Sequence, residues 1–131
     1  MIVKRDKPHQ KISLVIFTCT GREHLLKSTI DSFNAMVDIE FNQTILAIDG
    51  QINNAIIDYI NPDIIIQHYH RRGYVHSIAK ALKTISNPYF FWLEDDWSFT
   101  KKLTLNDLLN LLYEHKQWSQ VLYSKFGPLT T

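Results

Sequence analysis

Phe90-Phe91-Trp92-Leu93-Glu94-Asp95-Asp96-Trp97 passes without a break from an apolar, aromatic run into three consecutive carboxylates. The run reads as a buried strand. Acidic side chains crowded at the end of such a strand repel one another and lose hydration, so a cation or several hydrogen-bond donors must compensate them. A divalent metal bound to a polyphosphate is the first candidate. Glu94 and Asp96 lie two apart, so in an extended segment both side chains share one face and Asp95 takes the other. That spacing offers two oxygen ligands to one Mg²⁺ or Mn²⁺, or one ligand and one group bonded to its water shell. An exposed acidic turn is the plainer alternative; Trp92 and Trp97, which bracket the acids, argue against full solvation.

Working upstream, the same kind of apolar run recurs. Ile12 to Phe17, Thr44 to Ile48 and Asp63 to His68 are short and β-branched, as strands buried on both faces of a parallel sheet should be, and Tyr89 to Leu93 is the fourth. Helical patterns separate them. Leu26, Ile30, Phe33 and Val37 mark the first, a weaker one covers about Ile52 to Ile60 before Asn61-Pro62, and Val75, Ile78, Ala79, Leu82 and Ile85 form the clearest apolar stripe. Downstream, Thr104-Leu-Asn-Asp107 resembles a capping box ahead of a Leu-rich helix, and Trp118 to Tyr123 reads as a fifth strand. Alternating strands and helices of this length predict an α/β fold: an open, mostly parallel sheet with helices on both faces, joined by right-handed crossovers.

The chain has 131 residues, of which 45% are hydrophobic, which predicts one domain with a real core behind a polar leader at residues 1–10. Fourteen Lys and Arg against 13 Asp and Glu leave no basic surplus for a nucleic-acid backbone, so no nucleic-acid partner is expected. Cys19 is the single cysteine and reads as a small buried hydrophobe in a reducing compartment. No apolar run reaches the roughly 18 residues of a membrane span, and the charged start does not read as a signal peptide. A cytoplasmic protein, at most peripheral to a membrane, is expected.

Ligands of open parallel sheets bind beyond the carboxyl ends of the strands, near the point where strand order reverses. Those ends are Thr18 to Arg22, Asp49-Gly50, His68 to Gly73 and Glu94 to Asp96. Asp49 can accept from a base or ribose, although Asp-Gly is also an ordinary turn pair. Arg71 and Arg72 open the strongest helix, where guanidinium groups and the helix N-terminus suit a diphosphate; a solvated pair is the alternative, as a surface charge is for Arg22. His68, His70 and His76 are close in sequence, but a structural zinc site normally takes four Cys or His ligands and no paired cysteines exist, so they read as cleft-rim or loop residues. Neither a phosphate-binding Gly-rich loop nor a Gly-x-Ser-x-Gly elbow is present.

Together, Ser13-Leu-Val-Ile-Phe-Thr-Cys-Thr-Gly-Arg22, Ile45-Leu-Ala-Ile-Asp-Gly50, Arg71-Arg-Gly-Tyr-Val-His-Ser-Ile-Ala79 and Tyr89-Phe-Phe-Trp-Leu-Glu-Asp-Asp96 resemble the nucleotide-binding half of a GT-A glycosyltransferase of the family-2-like group. The resemblance covers about residues 11–97. It implies that Thr18 and Thr20 lie beside base and ribose, Asp49 holds the base, Arg71 or Arg72 approaches the diphosphate, and Asp96 is the main metal ligand. Glu94 stands where the family's first aspartate does, and Asp95 is a second candidate for the ribose contact. It further implies Mn²⁺ or Mg²⁺, a nucleotide-diphosphate sugar, inverting transfer to a glycan or lipid-linked acceptor, and first and fourth strands side by side. The family's acceptor half and general base lie beyond the metal motif, where this chain offers only Ser98 to Thr131. No catalytic base is assigned, and a completing subunit or a homodimer is expected. Two other readings stay open: a non-catalytic nucleotide-sugar-binding or partner-docking module, and a Mg²⁺-dependent phosphate-processing α/β enzyme.

Overall fold

The computed structural model describes residues 11–70 and 72–115. Four strands, β1 (Ile12–Cys19), β3 (Gln43–Asp49), β4 (Ile64–His68) and β5 (Tyr89–Glu94), form one parallel sheet in the order β4-β3-β1-β5. Between them run α1 (Glu23–Met36), α2 (Asn54–Ile60) and α3 (Tyr74–Thr84), so the fold is the predicted open, Rossmann-like α/β sheet. From β1 the chain builds outward through β3 to β4, and α3 then carries it back across the sheet to β5 on the other side of β1. The strand order therefore reverses between β1 and β5.

Strand alternation assigns the two faces. Leu14, Ile16, Leu46, Ile48 and Leu93 point to the side covered by α1 and α2, where they pack with Leu26, Ile30, Phe33 and Ile56. Val15, Phe17, Ile45, Ala47 and Ile66 point to the opposite side and meet Ala81 of α3. β1 is buried almost throughout because it is central and covered on both faces, which is why its sequence is near-continuously apolar.

The expected helix over Val75 to Ile85 is present, but its inward face differs from the apolar stripe. Ser77 and Ala81 are the buried residues, whereas Val75 is 79% and Leu82 43% exposed. Small side chains face the sheet, Val75 and Leu82 are turned outward, and Ile85 at the end of the stripe stays packed against the core.

Two short elements have no counterpart in the sequence reading. β2 (Val37–Asp38) leaves α1 directly and pairs in parallel with β6 (Leu103–Thr104), which precedes α4 (Leu105–Glu114). Thr104 caps α4 as its motif predicts, accepting from the Asp107 N–H at 3.1 Å. The segment after β5 is also tied to α1: Trp97 N–H donates to Thr29 Oγ1 at 3.0 Å and Phe99 N–H to Ser32 Oγ at 2.6 Å. The strand expected at Trp118 to Tyr123, and Arg71, lie outside the described residues. Among the described residues no helix is long and apolar enough to cross a membrane.

Candidate functional site

β1 and β5 are neighbours with Phe17 opposite Glu94, so the polar sequence following each strand emerges into one crevice. β5 ends at Glu94, and the chain turns at Asp95 and Asp96. The alternation expected of an extended Glu94-Asp95-Asp96 therefore stops at the first acid. Asp95 swings under the sheet edge and is buried, 5% exposed, while Asp96 stays open.

Asp95 is held from two directions. Thr18, itself fully buried, donates its hydroxyl to Asp95 Oδ2 at 2.8 Å. Arg22 Nε lies 2.9 and 2.8 Å from Oδ1 and Oδ2, and Arg22 Nη2 lies 3.6 Å from Asp96 Oδ2. The hydrogen bond and charge of Asp95 raise the Arg22 pKa above its already high value, so the guanidinium is a fixed cation. Gly21, at φ 82°, makes the turn that returns Arg22 to the strand end.

These groups enclose a cavity of about 260 Å³ lined by Phe17, Cys19, Arg22, Glu94, Asp95, Asp96 and Trp97. Three carboxyl groups face one guanidinium across it. Glu94 has a partner that the sequence reading missed. Tyr74, the first residue of α3, packs its ring edge-on against Phe17 at 4.8 Å, and its phenol senses the Glu94 carboxylate. Burial first, and then Glu94, raise the Tyr74 pKa above the ordinary 10.0, which keeps the phenol a neutral donor. Its only sequence signal was an aromatic residue after Gly73 at a helix start.

Asp49 lies one strand away, opposite Cys19 on β1 and His68 on β4. It is 1% exposed and accepts the Arg72 N–H at 2.7 Å and the Gly73 N–H at 3.1 Å, so it anchors the loop that leads into α3. Thr20 belongs to the same end: its N–H donates to the Asp49 carbonyl at 3.3 Å, and its hydroxyl accepts from Gln51 N–H at 3.0 Å. Of the residues singled out from the sequence, Arg22, Glu94, Asp95 and Asp96 line one cavity and Thr18 supports it from beneath. Thr20, Asp49 and Arg72 lie at the neighbouring strand end, outside the lining.

Among the described residues no group of three or more His, Cys, Asp or Glu side chains is arranged to hold a metal ion. The cavity still offers hard oxygen donors to a cation that takes most of its shell from a ligand. Mg²⁺ and Mn²⁺ are commonly held by one or two carboxylates with substrate phosphates and water completing the sphere, and the open Asp96 with the adjoining Glu94 fits that donor count. No protein-family model matches the chain, and no curated protein sequence is significantly similar to it.

Proposed function

We propose that the β1/β5 crevice binds a nucleotide-diphosphate sugar together with Mn²⁺ or Mg²⁺, as the sugar-donor site of a GT-A-like glycosyltransferase. One observation carries the reading: Thr18 and Arg22 from β1 and Glu94, Asp95 and Asp96 from β5 converge at the point where the strand order reverses. That is where open α/β sheets take their ligands.

The roles follow from exposure and hydrogen bonding. Asp95 holds Arg22 toward the cavity, and Thr18 fixes Asp95, so the guanidinium is pre-positioned for a phosphate oxygen. Asp96 and Glu94 hold the cation, which when bound offsets the charge that develops on a departing nucleoside diphosphate. A volume of about 260 Å³ suits the diphosphate portion of the ligand, with ribose and base extending toward Thr20 and Asp49. The acceptor is a glycan or lipid-linked hydroxyl in this reading, and its general base is not assigned. For the phosphate-processing alternative, Asp49 and Asp95 each accept two or more hydrogen bonds and are not presented as nucleophiles, which leaves the exposed Asp96 as its candidate.

Calorimetric titration of UDP, GDP and their sugars, with and without Mn²⁺, tests the proposal on the wild type and Asp96→Ala. The expected result is metal-dependent binding that the substitution abolishes. Metal-independent binding would remove the cation from the site, and no binding to a folded protein would remove the nucleotide-sugar reading.

A further inference from the structure

We infer that His68 and His76 form a two-imidazole site for a borderline divalent transition ion of the Zn²⁺ type, independent of the carboxylate crevice. His68 closes β4 and His76 lies in the first turn of α3, and their rings meet at a centroid distance of 4.9 Å with an interplanar angle of 65°. Zinc–imidazole bonds of ~2.0–2.1 Å put each ring centroid roughly 3.2 Å from the ion, so two rings at a tetrahedral angle stand about 5 Å apart. The observed pair is already at that separation.

A second observation is independent of the spacing. His68 Nε2 is buried and has no hydrogen-bond partner among the described residues. Buried polar atoms are nearly always satisfied, and an orphaned imidazole nitrogen beside a second imidazole is one a metal can satisfy. His76 is exposed, which gives an ion a route from solvent. The frame is rigid: the His68 carbonyl accepts the Gly50 N–H at 2.7 Å, and His76 rides on a helix whose entry Asp49 anchors.

Imidazole nitrogen selects Zn²⁺, Cu²⁺, Ni²⁺ or Co²⁺ over the oxygen-seeking Mg²⁺ and Mn²⁺. Two protein ligands with water completing the shell make a weaker site than a four-ligand structural centre, and among the described residues no group of three or more His, Cys, Asp or Glu side chains is arranged for one. A bound ion bridges the end of β4 to α3. The loop between them, whose N–H groups Asp49 holds, is then fixed at both ends.

The test is calorimetric titration of the full chain with Zn²⁺ in a weakly coordinating buffer, repeated on His76→Ala, His68→Gln and the distant control His24→Ala. One ion per chain is expected, weakened roughly tenfold or more in each of the first two variants and unchanged in the control, with excess Mg²⁺ failing to compete. The visible band of Co²⁺ should shift and intensify relative to the aqua ion, a change that His76→Ala abolishes. Because His76 is exposed, that variant should stay folded and decide the matter even where His68→Gln does not. Wild-type affinity in His76→Ala, or displacement of Zn²⁺ by Mg²⁺, would overturn the assignment.

Discussion

Arg22 and Asp95 stand 73 residues apart in sequence, yet Arg22 Nε lies within 2.9 Å of both Asp95 carboxylate oxygens. Their pairing joins the loop after β1 to the turn after β5, and Thr18 completes it from below. The Asp95 side chain is 7% exposed and that of Arg22 36%, so the two substitutions are not equivalent. Arg22→Ala leaves a buried carboxyl with Thr18 as its remaining side-chain donor among these contacts and should cost about 1–3 kcal/mol, while Thr18→Val, which keeps the shape and loses one donor, should cost about 1 kcal/mol. Urea midpoints of the two single variants and the double variant measure both. The double variant should exceed the sum, because each single variant leaves the buried carboxylate one of these two side-chain donors and the double leaves it neither.

The loop before α3 is controlled from Asp49. In Asp49→Ala the Arg72 and Gly73 N–H groups lose their acceptor, and the chain between β4 and α3 loses its tie to β3. Destabilisation of about 1–3 kcal/mol is expected. Hydrogen exchange locates the effect: the amides of Arg72 and Gly73 should exchange faster in the variant, while those in the centre of β1 hold their protection relative to global unfolding.

The sheet was legible because each strand is short, β-branched and buried, and the observed ends lie within two residues of the expected ones. Asn61, at φ 51°, ends α2 where the Asn-Pro pair indicated a stop, and Thr104 caps as its spacing indicated. The partners of the acids were not legible. Asp95 looked like the outlier of an extended Glu94-x-Asp96 pair, but its position depends on a turn that alternation cannot register and on Arg22 arriving from another strand end. Likewise Tyr74 reaches Glu94 only because α3 crosses back over the sheet. The β2/β6 pair is two residues long on each side, too short to have a period.

Tyr74 gives the alkaline limb of stability a specific origin. Its folded-state pKa is raised above 10.0, chiefly by burial and then by Glu94, so the folded protein holds this proton more tightly than the unfolded chain does. That contribution is complete below pH 10 and is lost as pH rises through the raised value. Tyr59, whose pKa is raised by Asp31, adds a similar loss from the surface. Urea unfolding between pH 9 and about 11.5 should show wild-type stability falling faster than that of Tyr74→Phe. Parallel curves would mean that the phenol does not sense Glu94 or its burial.

The face that α3 turns inward gives a sharper contrast than its hydropathy predicts. Val75 begins the apolar stripe but is 79% exposed, so Val75→Ser removes little buried surface and trades two residues of similar helix propensity; a change within about 0.5 kcal/mol is expected. Ala81 is fully buried against Val15, Phe17, Ile45, Ala47 and Ile66. Ala81→Leu adds three carbons at a position with no exposed surface between helix and sheet, and overpacking of that kind costs about 1–3 kcal/mol. Chemical-denaturation midpoints of the two variants should therefore rank opposite to the order implied by the sequence stripe, which would have made Val75 the core position. If Val75→Ser proved the more damaging, α3 would have to be rotated about its axis, and the approach of Tyr74 to Glu94 would fail with it.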